Sequence, residues 1–295
     1  MRLPAFQLAV TLLGLACASG STGRSPGPSP APSPSPPPSP AGAAPAPASP
    51  ATQPAARAPN TSYYAYYRRD SLVVEMPGGE GQTQTVGRTT FLKVTVIPGE
   101  AGSKVEVVVD SIRPDDDAVI PRALLDSTVG AKWTGRLGPN NRLTDIEGTG
   151  SSLFADQLRG QLPLLFPTVP DGGPKPGSSW SDSTTGPIRT TSAVSATEHA
   201  ALSCKAAKYE AFRSAQALRV DCSRQSSFSG QGQQFGQDMT LSGTGRASLL
   251  YHLNNGGQIV GLEGQETNDL TITVLTVGQA VPARQEARFT LTPLN

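Results

Sequence analysis

The sequence predicts a mainly β domain, built as an antiparallel curved sheet or open barrel with one amphipathic helix, and three observations indicate this class. Apolar and polar residues alternate from Phe91 to Ile97 and from Lys104 to Ile112, which is the period of a half-buried strand. Two other segments carry Asn/Gly turns of the kind that join hairpin strands. Only one stretch, Ser151 to Leu165, has the apolar spacing of a helix.

Residues 1–17 are predicted to be a signal peptide with a lipidation site. Arg2 gives the segment a charged start, and the apolar run that follows is too short to span a bilayer. The order Leu-Gly-Leu-Ala-Cys at residues 13–17 resembles a lipobox, in which cleavage leaves Cys17 as the lipidated N-terminus. Gly14 departs from that pattern, because leucine is usual there.

A second interpretation of the same segment stays open. Ala16-Cys17-Ala18 also fits the small-x-small cleavage site of ordinary secretion. The cysteine count favours lipidation, because Cys204 and Cys222 can pair in an exported protein and leave Cys17 over. We therefore expect a protein of the bacterial cell envelope, anchored to a membrane by lipid on Cys17, on the periplasmic side or surface of the outer membrane. Secretion is the alternative.

Residues 18–59 are predicted to be a disordered linker rich in Pro, Ala and Ser. They contain fourteen prolines, no acidic residue and no apolar side chain larger than alanine. Such a segment cannot bury enough surface to offset the entropy of ordering it. Proline stiffens it towards polyproline II at roughly 3.1 Å per residue. The linker is therefore expected to hold the following domain away from the anchored Cys17.

Residues 60–295 are predicted to form one β-rich domain. Its opening, Tyr63 to Tyr67, is expected to be a first strand, with exposed tyrosines that could stack on glycan as the alternative. Asp115-Asp116-Asp117 is expected to be a solvated loop, because three consecutive carboxylates lack the spacing of a calcium site. The whole chain has 24 basic and 23 acidic residues and no basic run, so nucleic acid is not expected as a partner.

Two twelve-residue segments at an offset of 116 residues resemble each other. Leu137 to Gly148 reads LGPNNRLTDIEG and Leu253 to Gly264 reads LNNGGQIVGLEG. The match predicts two similar β-units, residues 60–150 and 178–295, joined by a helix and loop at 151–177. Chance convergence of two hairpins is the alternative.

The helix between these units has Leu153, Phe154, Leu158, Leu162 and Leu165 on one face. Ser151 or Ser152 is expected to cap its start, and Pro163 to end or kink it near Leu162. A lone helix beside many strands must bury its apolar face on the sheet or in the mouth of a barrel. We expect a core helix, with a mobile lid over a ligand site as the alternative.

Cys204 and Cys222 lie near equivalent positions of a predicted hairpin, Lys205 to Arg224, and are expected to form a disulfide. A bridge across about eighteen residues would stabilise the fold by roughly 3 kcal/mol on the chain-entropy model. Two buried free thiols are the alternative. Two cysteines without clustered histidines do not make a zinc site, so no metal is expected.

A long strand is predicted from Thr240 to Leu253, with Leu241, Ala247, Leu249 and Leu253 on one face. Gly243 and Gly245 share that face and mark a bulge or a close approach to the backbone, by the helix or by a ligand. Leu270 to Val277 and Arg288 to Thr292 are expected to be further strands.

Catalytic motifs are absent from the sequence, so we predict no catalytic residues, no cofactor and no enzymatic activity. His199 and His252 are the only histidines. His252 falls on the same strand face as Arg246 and Ser248, which predicts a solvated position. Residues 148–152, before the helix, could offer N–H groups to an anion, but they lack the lysine of a phosphate loop.

The start, the spacer and the β-rich domain together resemble uncharacterised bacterial envelope lipoproteins. Leu162-Pro163, Phe166-Pro167 and the segment from Pro176 to Trp180 are similar to a Leu-Pro, Pro, Gly-x-x-Trp pattern in a lipoprotein family of unknown function. A curved antiparallel sheet with one helical insert is also similar, more distantly, to bacterial lipoprotein carriers, which hold acyl chains between sheet and helix. No ligand residue is carried over from that likeness.

Three hypotheses about function follow. A non-enzymatic binding or scaffold module of the envelope, with a protein or glycan partner, predicts a filled core and an exposed patch such as Tyr63–Tyr67. A carrier of lipid or another apolar ligand requires a cavity between helix and sheet. A hydrolase requires His199 or His252 beside a Ser or Cys nucleophile.

Overall fold

The structure is a computed structural model that describes residues 59–75, 81–99, 102–150, 152–189, 194–213, 215–234 and 236–294. The predicted signal peptide, the lipidation site Cys17 and the linker as far as residue 58 lie outside the described residues, so they remain predictions.

Eleven strands and two helices make up the described domain. The first half contains β1 (Asn60–Glu75), β2 (Gly81–Ile97), β3 (Ser103–Pro114), α1 (Arg122–Asp126), β4 (Lys132–Leu137), β5 (Leu143–Thr149) and α2 (Leu153–Leu165). The second half contains β6 (Ser179–Arg189), β7 (Val194–Phe212), β8 (Ala215–Gln234), β9 (Gln237–Leu253), β10 (Ile259–Val274) and β11 (Gln279–Leu294).

All eleven strands belong to one antiparallel sheet in the order β5-β4-β3-β2-β1-β11-β10-β9-β8-β7-β6. Each strand pairs with its chain neighbour, except where β1 pairs with β11 and so joins the two halves. The edge strands are β5 and β6, and they do not pair with each other. The predicted class, a mainly β antiparallel open sheet, is confirmed.

The predicted β2–β3 hairpin is present with the expected faces. Leu92 lies opposite Val109, and Val94 opposite Val107. These four side chains are buried with exposures of 6% or less. The alternation in the sequence therefore identified the face that points into the core.

Helix α2 begins where the sequence predicted. The Ser152 side chain accepts a hydrogen bond from the Ala155 N–H at 3.1 Å, which satisfies one of the free donors of the first turn. Of the predicted apolar face, Phe154, Leu158, Leu162 and Leu165 are buried. The Leu153 side chain lies outside the described residues.

The predicted end of this helix was wrong. We expected Pro163 to end or kink the helix near Leu162. The helix does not end there, because it continues through Pro163 to Leu165. Proline removes one backbone donor, yet its fixed φ is compatible with a helix. Burial of Leu165 in the core then holds the last turn in place.

Helix α2 and the loop after it connect one edge of the sheet to the other. The chain leaves β5, passes through α2 and the Pro/Gly loop, and enters β6. Two hydrogen bonds fix the far end of this loop, from the Gly177 N–H to the Ala206 carbonyl and from the Ala206 N–H to the Ser178 carbonyl. The segment therefore crosses the concave face of the sheet and is anchored on the second half.

Most of the strands are longer than the helix that covers them. Strands β1 and β10 have 16 residues each, which corresponds to roughly 53 Å, whereas the 13 residues of α2 span about 20 Å. The main core lies under α2 and includes Leu92, Leu162, Tyr251, Leu262 and Phe289. The rest of the concave face is left without helical cover.

The two resembling segments both form hairpins. Leu137 pairs with Leu143, and Leu253 pairs with Ile259, so both turns connect strands at the same relative position. The turns also touch, because the Asn141 side chain donates to the Gly257 carbonyl at 2.9 Å. The internal duplication itself remains a prediction.

Strand β9 has the predicted inward face. We expected the helix or a ligand to pack close to Gly243 and Gly245, but other groups lie there. A Cβ at Gly243 would lie 2.8 Å from the Leu270 side chain, and one at Gly245 would lie 3.1 Å from the Phe228 ring. Side chains from the neighbouring strands therefore occupy this space, and not the helix.

Helix α1 was not predicted. It has only five residues and follows Pro121, and its buried neighbour Thr128 bonds to the Leu124 carbonyl and to the Ser152 hydroxyl. This contact ties α1 to the start of α2. Among the described residues, none of the helices combines the length and apolar content needed to cross a bilayer.

Candidate functional site: a cavity between the sheet and helix α2

A cavity of about 1170 Å³ lies on the concave face beside α2. Its walls come from both halves of the sheet, from α2 and from the segment that leads into α1. It is large enough for the body of a lipid-sized ligand.

Helix α2 divides its residues between the core and this cavity. Leu158 and Leu162 point into the core, with exposures of 4% and 1%. Gln157, Gln161 and Leu164 instead line the cavity. The helix therefore forms one wall of the cavity as well as the cover of the core.

Polar side chains cross the middle of the concave face in a row that we call the polar band. Its members come from the four neighbouring strands β2, β1, β11 and β10 and from β8 and β7: Arg88, Arg68, Asp70, Gln285, Glu266, Asn268, Arg224 and Glu198. All of them line the cavity.

Each cation of the band has a carboxylate partner. Arg68 contacts Asp70 at 2.8 Å and Glu266 at 3.5 Å, and Arg88 contacts Asp70 at 3.3 Å. Arg224 contacts Glu198 at 2.6 Å. These side chains are at most 15% exposed, so screening by water is weak.

The ionisation of the central group follows from its neighbours. Burial opposes the charge on Asp70, but the guanidinium groups of Arg68 and Arg88 outweigh burial and hold its pKa below the ordinary value. Burial likewise opposes the charge on Arg68, yet Asp70, Tyr66 and Glu266 together raise its pKa. The pKa of Arg88 is lowered, mainly by burial.

Two glutamines of α2 connect the helix to this band. Arg88 donates to the Gln157 side chain at 2.9 Å. The Gln161 amide lies 2.8 Å from the Tyr66 hydroxyl, and its best orientation has the amide oxygen accepting from Arg68 Nη1 at 3.0 Å. Arg88 also stacks on the Phe154 ring at 4.2 Å. The helix is therefore positioned over the band by charge-assisted hydrogen bonds.

Beyond the band, away from α2, the concave face becomes apolar again. Two small clusters lie there, one around Val74 and Ala283 and the other around Ala196 and Leu241. Leu270 packs against both clusters and lines the cavity. The cavity therefore has an apolar far wall and a polar waist.

The predicted cysteine pair lies outside this cavity. Cys204 and Cys222 are directly opposite each other on β7 and β8, and their sulfurs are at disulfide distance, 2.01 Å. Both residues are buried in the main core. The pair therefore links two neighbouring strands, as the sequence predicted.

The two histidines differ in their exposure to solvent. The His199 ring lies 3.0 Å from the Thr185 hydroxyl on the surface. Our prediction of a solvated His252 was wrong, because it is 5% exposed: Phe212 stacks on it at 3.9 Å, and Glu210 lies 3.0 Å from Nε2. Sequence alternation located the correct face, but not the ring that covers it.

Other candidate positions are engaged in structural contacts. Tyr66 is buried, whereas Tyr63 is 47% exposed, so the tyrosine run is divided between the two faces of β1. Asp115 and Asp117 are not simply a solvated loop, because both accept from Arg69, at 2.9 and 2.7 Å. Ser152, in the candidate anion site, is used to cap α2. In the part of the chain that the structure describes, His, Cys, Asp and Glu form no group suited to a metal.

Sequence reasoning missed the polar band. Its signal was present in β1, where Tyr66, Arg68, Asp70, Leu72 and Val74 alternate with period two and therefore share the concave face. Charged residues at inward positions of a strand are usual only where partners or a ligand meet them.

Comparison of the chain with models of known protein families and with curated proteins found no match.

Proposed function

We propose that this protein is a non-enzymatic binding protein of the bacterial envelope that holds a lipid or another apolar-chain ligand between its sheet and helix α2. The observation that supports this proposal is the cavity of about 1170 Å³, bounded by α2 on one side and by apolar clusters on the other. A filled concave face would instead have favoured a scaffold. In this proposal, lipid on Cys17 anchors the protein to a membrane, and the linker gives the domain its reach.

The position of Leu270 and Ile272 makes the proposal testable. Both side chains line the cavity on β10, while Thr271 and Thr273 alternate with them and face away from it. Two tryptophans on the inner face would fill part of the cavity, whereas two on the outer face would leave its volume unchanged.

The experiment measures binding of the apolar fluorophore phenylnaphthylamine to the full domain. We expect the double variant Leu270→Trp/Ile272→Trp to bind the fluorophore at least about tenfold more weakly than the natural protein. The matched variant Thr271→Trp/Thr273→Trp should bind it unchanged. Equal binding by all three proteins, or no binding by the natural protein, would contradict a ligand cavity and favour the scaffold.

A further inference from the structure

The charge balance of the polar band restricts which head group can bind at the waist of the cavity. Arg68, Arg88 and Arg224 each already contact a carboxylate, and the three carboxylates Asp70, Glu198 and Glu266 balance their charge. An anionic head group would have to displace one of these buried carboxylates. A cationic head group would meet the guanidinium groups without a free carboxylate to compensate.

The central arginines also make hydrogen bonds to groups of the protein. Arg68 bonds to Asp70 through Nε, and Arg88 bonds to Asp70 and to Gln157 of α2. The faces of both guanidinium groups lie against aromatic rings, those of Phe289 and Phe154. Arg68 and Arg88 are therefore already held by other groups of the protein.

One acceptor in the same band is not committed. Asn268 is 6% exposed, and its amide nitrogen donates to Glu266 at 2.9 Å and to Gln285 at 3.4 Å. Its carbonyl oxygen Oδ1 is buried and has no hydrogen-bond partner among the described residues. An unmatched buried acceptor is costly, and a donor that reached it would remove that cost.

The backbone next to this oxygen carries no side chain. Asn268 lies opposite Gly245 on β9, and a Cβ there would be 2.2 Å from Asn268 Oδ1 and 2.5 Å from the Ser226 hydroxyl oxygen. Glycine thus lets Asn268 Oδ1 and the Ser226 hydroxyl lie close against the β9 backbone at the waist of the cavity. Leu270, two residues further along β10, begins the apolar wall.

We propose that the ligand is an amphiphile with an uncharged head group that carries a hydroxyl or amide N–H donor, such as an acylglycerol, with its chain on the apolar wall around Leu270. The donor would bond to Asn268 Oδ1 at the polar band. This inference rests on the proposed function, because it assigns the ligand class of the same cavity.

Four probes with the same palmitoyl or hexadecyl chain separate the possibilities: monopalmitoylglycerol, methyl palmitate, palmitate and hexadecyltrimethylammonium. Each is titrated as a competitor of phenylnaphthylamine on the natural protein. We expect monopalmitoylglycerol to bind about tenfold more tightly than methyl palmitate, which lacks a donor, and more tightly than either charged probe.

A substitution tests the named acceptor. Asn268→Leu, which keeps the side-chain size, should lower the affinity for monopalmitoylglycerol about tenfold and leave methyl palmitate unchanged. Gln265→Leu, exposed on the outer face of the same strand, is the matched control and should change neither. Unchanged phenylnaphthylamine binding by Asn268→Leu shows that the variant is folded. If the variant does not fold, the four probes on the natural protein still test the proposal.

The outcomes distinguish the two proposals. Equal binding of monopalmitoylglycerol and methyl palmitate would overturn the donor requirement while leaving an apolar-chain carrier intact. Tighter binding of palmitate or of the cationic probe would overturn the uncharged head group. Failure of every probe, including phenylnaphthylamine, would overturn the proposed function itself.

Discussion

Asp70 is the residue through which the polar band is held together. It accepts from Arg68 on its own strand and from Arg88 on β2, and Gln285 of β11 donates to the same carboxylate at 3.1 Å. Three adjacent strands therefore meet at one carboxylate. The positive charges of Arg68 and Arg88 are both balanced mainly by this buried carboxylate.

We expect Asp70→Asn to destabilise the domain by roughly 3–5 kcal/mol near neutral pH, because it leaves buried cations without their carboxylate. The pKa of Asp70 in the folded protein is lowered from the ordinary value. Its contribution to stability is therefore complete above the unfolded pKa of about 3.9 and is lost as the pH falls through the lower folded pKa. Urea unfolding of both proteins from about pH 7 to about pH 2 measures this.

Asp117→Asn is the matched control. Its carboxylate also pairs with an arginine, Arg69, but the Asp117 side chain is 64% exposed, so its loss should matter far less. A difference between the natural protein and Asp70→Asn that stays constant down to about pH 2 would contradict this account of the band.

At the scale of elements, α2 serves two surfaces at once. Its core face carries Leu162, 1% exposed, and its cavity face carries Gln157, Gln161 and Leu164. Helix α2 is therefore the core helix that we expected, and it also bounds the cavity beside that core.

A pair of leucine substitutions separates these two faces. Leu162→Ala should destabilise the domain by about 2–5 kcal/mol, since it opens a void under the helix. Leu164→Ala, at a partly buried position on the cavity, should cost about 1 kcal/mol. Denaturant unfolding measures both. Equal costs at the two positions would show that α2 is not divided between core and cavity in this way.

The sequence predicted best those strands that pack one face into the core under α2. Phe91–Ile97, Lys104–Ile112 and Thr240–Leu253 show the alternation because their inward residues are large and apolar. The far halves of β7 and β8 were missed. From Arg224 to Gln234, β8 reads RQSSFSGQGQQ, and its inward positions face the polar band and cavity, so no apolar period marks it.

At the scale of the whole molecule, the sheet is longer than its one substantial helix, and this mismatch produces the cavity. The connection from β5 to β6 carries that helix across the concave face, and the pairing of β1 with β11 makes the two halves one continuous surface. The sequence could predict a helix between two β-units, because composition and turns report local structure. It could not predict the cavity, because that depends on which rows of side chains come together across seven strands.

The central claim is that this domain holds an amphiphile, and one measurement tests it most directly. Native mass spectrometry of the full chain, purified gently from its own membranes with its N-terminus mapped, detects covalent and bound lipid separately. We expect acyl groups on Cys17 and, in addition, one non-covalently bound uncharged lipid that is lost from the Leu270→Trp/Ile272→Trp variant. Protein with lipid on Cys17 but an empty domain would contradict the claim and leave an anchored scaffold as the better account.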